Sequence, residues 1–229
     1  MARVDDLEYP RELAPRLVFF DLDGTISRRD TLLGYVAGFA LRHPVRLSRF
    51  LGVIPAVLGY LISKRDRGYL KGALIHFVMG GASRGDVRAW TELYVPRLVK
   101  RGIFEQAILA IRGHRGAGDH LVLMTAAVDL YVPELASALG FDQYICSRVA
   151  WNEDHLDGWL TSPNMRDEQK AMALRRAAAN FPGRRLVGYG NSASDLPHLK
   201  LVDEAVLINA SKKLRRAASK LLVELKYWF

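Results

Sequence analysis

Short apolar runs of strand length recur along this chain, and helical patterns separate most of them. The runs lie at 16–20, 120–124, 143–146, 185–189 and 204–208, and several are apolar throughout rather than at alternate positions. Continuous burial is typical of parallel strands that helices cover on both faces. The alternation of strands with helices therefore predicts an α/β fold with a doubly wound, mostly parallel sheet.

About a hundred residues separate the first two runs, far more than a single crossover helix needs. They contain helical patterns at 31–41, 45–63, 69–78, 85–98 and 104–114. An inserted α-helical cap is the economical explanation. We therefore predict a first core part at 1–28, the cap at 29–117 and a second core part at 118–229.

Two shorter segments carry local predictions. Residues 148–161 have apolar and aromatic stretches on both sides of the turn-forming pair Asp157-Gly158, which predicts a hairpin turning at that pair. Residues 212–226 are predicted to be helical because four leucines recur at helical spacing. These are Leu214, Leu221, Leu222 and Leu225.

The formal charge of +9 at pH 7 favours anionic partners, namely phosphorylated substrates, acidic lipid headgroups or nucleic acid. A basic solvated surface is the alternative. Zinc-finger spacing, RNA-binding aromatic motifs and basic-zipper patterns are absent, so no nucleic acid partner is expected. A single cysteine, Cys146, and an N-terminal sequence without secretory character predict a cytoplasmic protein.

Two carboxylates, Asp21 and Asp23, directly follow the first apolar run in the sequence Asp-Leu-Asp-Gly-Thr. This position is the carboxyl end of a central strand, where open α/β sheets bind their ligands. The pair can divide the work of catalysis, with Asp21 as nucleophile and Asp23 as the group that transfers protons. A simple polar turn is the alternative interpretation.

Three later segments add candidate residues. The hydroxyl of Thr125, at the predicted end of the second strand, and the following N–H groups, including that of Ala126, can hold phosphate oxygens, or Thr125 can be a helix N-cap. Lys170 can neutralise a phosphoryl group, or it can be a solvated surface residue. Asn191 and Asp195 offer oxygen ligands for Mg²⁺, or they can form a polar turn before a helix.

In this order, the four segments resemble the four motifs of the haloacid dehalogenase superfamily, specifically its phosphoserine-phosphatase-like branch. The resemblance extends over about residues 17–218 and includes the helical cap and the hairpin. It implies a Rossmann-like core and a phosphatase that depends on Mg²⁺. By this resemblance Asp21 forms an aspartyl-phosphate, and Asp23 protonates the leaving group and then activates water.

The same resemblance assigns phosphate binding to Thr125, Ala126 and Lys170. It assigns the metal to Asp21, to the Asp23 carbonyl and to the last motif. The branch usually has an aspartate where this chain has Asn191. An amide oxygen carries no charge, so we expect weaker metal binding with Asp195 carrying more of the coordination.

The predicted cap contains the apolar run 50–62, which is interrupted by Pro55 and surrounded by cations. Such a segment can lie at a membrane interface and attract anionic lipid, or it can be a buried cap helix. The cap resembles that of bacterial phosphatidylglycerophosphatase-like members, which favours a lipid phosphate as substrate and peripheral contact with the inner face of the membrane. The alternatives are a small soluble monoester such as phosphoserine, or a decayed phosphate-binding module. The cations are Arg42, Arg46, Arg49, Lys64, Arg65, Arg67 and Lys71.

Overall fold

The computed structural model describes residues 14–63 and 66–229. The N-terminal sequence and the cations Lys64 and Arg65, on which some of the predictions rest, lie outside the described residues. The strands are β1 (Leu17–Phe20), β2 (His120–Val128), β3 (Gln143–Ser147), β4 (Val149–Asn152), β5 (His155–Leu160), β6 (Leu186–Gly190), β7 (Glu204–Ile208) and β8 (Val223–Lys226). Six of them form one sheet in the order β3-β2-β1-β6-β7-β8, and all neighbours in it are parallel.

Helices connect the strands and cover the sheet, which confirms the predicted α/β fold class. They are α1 (Thr31–Arg42), α2 (Ile54–Ser63), α3 (Arg67–Met79), α4 (Arg84–Arg101), α5 (Glu105–Gly116), α6 (Val132–Leu139), α7 (Glu168–Ala178), α8 (Leu196–Leu199) and α9 (Lys212–Ala217). The side chains of Asp30, Asp66 and Ser83 cap α1, α3 and α4 by accepting a hydrogen bond from a main-chain N–H in the first turn.

The central strand β1 is fully buried between β2 and β6. Chain connections run outward from it in both directions, so the order of the sheet reverses at this strand. The Phe20 ring stacks on the Tyr189 ring with 4.2 Å between centroids, which fixes β1 against β6. The carboxyl ends of β1, β2 and β6 thus meet at one edge, where ligands bind in folds of this kind.

The predicted single helix at 45–63 divides into a 3-10 segment, Pro44–Val53, and the α-helix α2. Pro55 lies in the first turn of α2, where its missing N–H costs no hydrogen bond. A proline inside a longer helix would break it, so the α-helix begins at this point instead of continuing from residue 45. Within the described residues, Pro44–Ile62 is long and apolar enough to cross a membrane by length and composition alone. Only 11% of this stretch is buried in the protein.

The hairpin of β4 and β5 is antiparallel as predicted, but its turn lies at Glu153 and Asp154 rather than at Asp157-Gly158. Gly158 is inside β5 with φ 92°, and a Cβ there would lie 2.7 Å from the main-chain nitrogen of His76. Glycine is needed at this position because the hairpin approaches α3 closely. The prediction that Gly158 forms the turn was therefore wrong, and the glycine instead allows β5 to pack against α3.

The predicted helix at 212–226 is also wrong beyond Ala217, where α9 ends. The chain then forms β8, which pairs with β7 from Ala205–Val223 to Ile208–Lys226. The leucine spacing is not a buried stripe, since Leu222 is 97% exposed. The open edge of β7 offers main-chain hydrogen bonds to this segment, and sheet pairing overrides the helical pattern.

Candidate active site

Asp21 lies directly after β1, at the carboxyl end of the central strand. Its side chain is buried, and both carboxylate oxygens accept hydrogen bonds. Lys170 Nζ donates to Oδ1 at 2.6 Å, and the Thr25 hydroxyl donates to Oδ2 at 2.9 Å. Burial raises the pKa of Asp21, and the charge of Lys170 acts in the opposite direction. The carboxylate is therefore held in one orientation.

Lys170 is the third residue of α7, and its side chain is 2% exposed, which excludes a solvated surface position. Its Nζ lies 2.6 Å from Asp21 Oδ1 and 2.6 Å from Asp195 Oδ1. Burial alone would lower the pKa of Lys170, but the two carboxylates outweigh it and raise the pKa. A permanent positive charge thus connects the loop after β1 with the loop after β6.

Asp195 is 1% exposed and closes the loop that follows β6. Its Oδ2 accepts hydrogen bonds from Asn191 N at 3.1 Å, Ser192 N at 3.0 Å and Ser192 Oγ at 2.8 Å. Burial acts to raise the pKa of Asp195, but the charge of Lys170, together with His198 and the hydrogen bonds from Lys170 and Ser192, outweighs it and brings the pKa to about 2. This carboxylate therefore stays ionised and fixes both the loop and Lys170.

Asp23 lies two residues beyond Asp21 and is held by the start of α1. Its Oδ1 accepts hydrogen bonds from Thr31 N and Thr31 Oγ1, both at 2.8 Å. Burial, followed by the charges of Asp30 and Asp21, raises its pKa to about 7. A carboxyl group with this pKa can both give and take a proton near neutral pH.

The segment predicted to bind phosphate is a continuation of β2, which runs to Val128 rather than ending at Thr125. The Thr125 side chain is fully buried, and its hydroxyl accepts a hydrogen bond from Ala127 N at 3.0 Å. Ala126 and Ala127 line the cavity at this edge of the sheet. The structure thus places Ala126 and Ala127, rather than Thr125, on the cavity wall.

The cavity has a volume of about 460 Å³ and contains more cations than acids on its walls. The cationic side chains come from the loop after β1, from α3 and from the segment around α7. Such a surplus attracts anionic ligands and suits more than one negative group. The cations are Arg28, Arg29, Arg67, Lys71, Arg166 and Lys170, and the acids are Asp21, Asp23 and Asp30.

Lys71 is a site residue that the sequence placed only at the fringe of an apolar run. In the structure its Nζ donates to Asn164 Oδ1 at 2.8 Å and to the main-chain oxygen of Ala126. Burial lowers its pKa to about 8. Arg67 and Lys71 are four residues apart on α3 and line the same cavity. That spacing was the available signal that α3 presents a cationic face to the site.

Oxygen donors around the loop after β1 fit a magnesium ion. Gly24 has φ 80°, and a Cβ there would lie 2.0 Å from Asn191 Nδ2, so the Asn191 amide lies directly against this loop. The Asp21 carboxylate, the Asp23 carbonyl and the Asn191 amide oxygen are hard ligands of the kind Mg²⁺ prefers. Across residues 14–63 and 66–229, no three His, Cys, Asp or Glu side chains form a group able to hold a metal. Beyond the Asp21 carboxylate, binding here would thus depend on neutral oxygens and water.

Asp195 fits the metal less well than the sequence predicts. One of its carboxylate oxygens accepts from Lys170, and the other accepts from Asn191 N and from Ser192. Asp21 accepts one hydrogen bond at each oxygen, whereas Asp195 accepts four in total and so has fewer lone pairs free for a cation. These contacts favour a positioning role for Asp195 over a coordinating one.

A family model described as haloacid dehalogenase-like hydrolase matches residues 18–200 of this chain. The chain belongs to this family. Protein CicA of Caulobacter vibrioides is 32% identical over 196 residues, which cover 83% of this chain and 84% of CicA. A probable phosphatase of Mycobacterium tuberculosis is 27% identical over 217 residues, covering 92% of this chain and 75% of that protein.

Solved structures of other proteins share the fold. A Bordetella pertussis protein of unknown function matches with a TM-score of 0.76 and 22% identity, covering 92% of this chain and 97% of that one. A substrate-bound phosphoserine phosphatase matches with a TM-score of 0.64 and 16% identity, covering 92% of each chain. At this level of identity the likeness establishes the architecture, and the chemistry has to be argued from the site.

Proposed function

We propose that this protein is a Mg²⁺-dependent phosphomonoester hydrolase that works through an aspartyl-phosphate on Asp21. The observation that carries the proposal is the buried Lys170 ammonium, 2.6 Å from both Asp21 and Asp195 at the carboxyl edge of the sheet. It fixes a carboxylate nucleophile beside a cationic cavity. The family's curated relatives include a probable phosphatase, which agrees with this chemistry.

In the first step, an Asp21 carboxylate oxygen forms a bond to phosphorus while the bond from phosphorus to the ester oxygen breaks. The proton on Asp23 passes to the departing oxygen, so the alcohol leaves neutral. Thr31 holds Asp23 at the start of α1 and thereby orients this proton. Lys170 stabilises the negative charge shared by Asp21 and the phosphoryl group.

In the second step, Asp23 takes a proton from water, and the water oxygen attacks the phosphorus of the aspartyl-phosphate. The bond between phosphorus and the Asp21 oxygen breaks, which releases inorganic phosphate and restores the carboxylate. We propose that the main chain at Ala126 binds the phosphoryl oxygens, with Thr125 supporting this end of β2 through its hydrogen bond from Ala127.

The Asp21 carboxylate, the Asp23 carbonyl and the Asn191 amide oxygen would hold Mg²⁺. When bound, the ion neutralises negative charge on the phosphoryl group and helps to orient it for in-line attack.

The substrate we favour is a lipid phosphate such as phosphatidylglycerophosphate, met at the cytoplasmic face of the membrane. Such a molecule carries a second anionic phosphate beside the one to be cleaved. The cavity offers Arg67 and Arg166 beyond Lys170, and neither guanidinium group has a hydrogen-bond or ion-pair partner in the described part of the chain. A small soluble monoester such as phosphoserine is the second candidate, because its carboxylate also supplies another negative group.

The experiment is phosphate release by the purified protein, with and without Mg²⁺, from phosphatidylglycerophosphate, phosphoserine and an aryl phosphate. We expect metal-dependent release from the aryl phosphate and faster release from the lipid. Asp21→Asn should abolish all release while its circular dichroism spectrum remains that of the parent. Full activity in this variant would contradict the covalent mechanism, and a preference for phosphoserine would overturn the lipid assignment alone. A protein that binds phosphate without any turnover would identify a decayed, non-catalytic module.

A further inference from the structure

The cap carries a continuous exposed apolar surface on the 3-10 segment and α2. We define this apolar cap face by six side chains, each at least 50% exposed: Val45, Leu51, Ile54, Leu58, Leu61 and Ile62. On α2 the last four of them follow the spacing i, i+4, i+7, i+8 and so form one stripe. Val53 and Ala56 point the other way and are buried. Monomeric proteins in water seldom leave so long an apolar stripe uncovered.

The charges that this segment itself carries all have one sign. The sequence contains no acidic residue between Asp30 and Asp66, whereas Arg42, Arg46 and Arg49 belong to the same stretch. A second copy of the chain docking symmetrically would bring these cations toward their own counterparts, which is unfavourable. An anionic lipid surface complements both the apolar stripe and its cationic surroundings.

Two of the arginines also restrict the orientation that the 3-10 segment and α2 can take at a membrane. Arg46 and Arg49 each donate a hydrogen bond to the main-chain oxygen of Gly80 at 2.9 Å, which ties the segment to the end of α3. A helix that crossed the bilayer would carry these two cations into the hydrocarbon, at a large cost. A segment that lies flat in the interface keeps them at the level of the headgroups.

We infer that the apolar cap face lies in the interface of an anionic membrane and holds the active-site cavity over the lipid headgroups. The cavity is adjacent because Arg67, the first residue of α3 after the end of α2, lines it. The membrane-binding part of this inference depends only on the apolar cap face and the cations of its segment. The delivery of substrate to the cavity rests in addition on the proposed function.

The test is co-sedimentation of the full chain with phosphatidylcholine vesicles, with and without phosphatidylglycerol. We expect binding to the anionic vesicles, weakened by salt, and little binding to phosphatidylcholine alone. Leu61→Glu should weaken that binding about tenfold or more, because an apolar contact is replaced by a charge. Leu109→Glu on α5 is the matched control, with a side chain 59% exposed outside the apolar cap face, and it should bind as the parent does.

Three outcomes would overturn the inference. They are a parent protein that does not sediment with anionic vesicles, an equal loss in both variants, and a dimer in vesicle-free buffer that Leu61→Glu dissociates. Aryl phosphate hydrolysis by Leu61→Glu should equal that of the parent, which checks that the fold is intact. Asp21→Asn should bind vesicles normally, so a failure of the proposed chemistry would be seen separately from a failure of membrane binding.

Discussion

Lys170 places a single positive charge between two buried carboxylates, and each of the three groups depends on the others. The carboxylates of Asp21 and Asp195 would repel each other without it, and both are too deeply buried for water to screen the repulsion well. The residues around Lys170 do not single it out in the sequence. It was selected because it lies third in the order of the four motif segments. Its own neighbours resemble an ordinary amphipathic helix start.

Replacing Lys170 with methionine should therefore harm both stability and activity. Removing one partner of a buried ionic group typically costs about 3–5 kcal/mol in the free energy of unfolding. Phosphate release should fall by about a hundredfold or more, since a charge that stabilises the transition state is lost. Urea unfolding and aryl phosphate turnover measure the two effects, and Lys213→Met on the exposed face of α9 is the control. An active, stable Lys170→Met variant would refute the role given to this charge.

Asn191 is a residue at which this chain departs from the motif pattern that its sequence otherwise resembles. Asn191→Asp should strengthen magnesium binding, because it adds a charge to a donor set that otherwise contains one carboxylate from Asp21. A magnesium titration of activity, and of heat by calorimetry, should give a lower apparent dissociation constant than that of the parent. An unchanged or higher constant would mean that this side chain does not face the ion.

At the scale of elements, the hairpin of β4 and β5 packs on α3 and fixes the part of the cap that lines the active-site cavity. The contact is close because Gly158 has no side chain where it meets the main chain of His76. The rings of His76 and Trp159 also stack, with centroids 5.1 Å apart. The helix α3 is thus joined to the hairpin by close packing as well as through the chain.

Gly158→Ala should reduce stability more than Gly183→Ala does. Both glycines have a positive φ, at 92° and 76°, so alanine costs about 1–2 kcal/mol at either position. A Cβ at Gly183 meets nothing within 4 Å, whereas one at Gly158 lies 2.7 Å from His76 N, which should add about 1–3 kcal/mol. Urea unfolding of the two variants gives the difference. Equal losses would mean that the hairpin can move away without cost.

The sequence predicted most of the elements, because buried strands and amphipathic helices leave clear periodic patterns. The prediction failed where packing against another element of the fold determines the secondary structure of a segment. The segment at 223–226 becomes a strand because β7 presents an open edge, and no local pattern records that edge. At the site, the motif order identified Asp21 and Lys170, while the contact from Lys71 to Ala126 depends on how α3 packs. Single-sequence periodicity cannot supply such packing.

For the molecule as a whole, buried histidines make stability depend on pH. His198 is fully buried, and its ring nitrogens have no hydrogen-bond partner within the described chain. Burial lowers its pKa to about 3, whereas an unfolded histidine titrates near pH 6.5. Between these values the unfolded chain binds a proton that the folded chain does not. Through His198, stability therefore falls as the pH drops below about 6.5; the lowered pKa of His114 acts in the same direction, and the raised pKa of Asp23 acts against it.

His198→Leu should make the free energy of unfolding depend less on pH below about 6.5. The parent should lose up to about 1.4 kcal/mol per pH unit at His198 below pH 6.5, and the variant should lack that contribution. Near pH 7.5 the two should differ by about 1 kcal/mol or less, because a neutral ring without partners is replaced by an apolar group. Urea unfolding at several pH values between 7.5 and 5 provides the comparison. Parallel curves for parent and variant would assign the acid sensitivity to other groups.

The central position of β1 also determines when the protein becomes active during folding. Leu17 pairs with His120 on one side and with Leu186 on the other, so distant parts of the chain must meet before Asp21 and Lys170 can touch. Closing such long loops is slow compared with helix formation. Recovery of turnover after dilution from denaturant should therefore follow the slowest tertiary phase, well after the far-ultraviolet signal has returned. Enzymatic activity would then report the kinetics of the last assembly step.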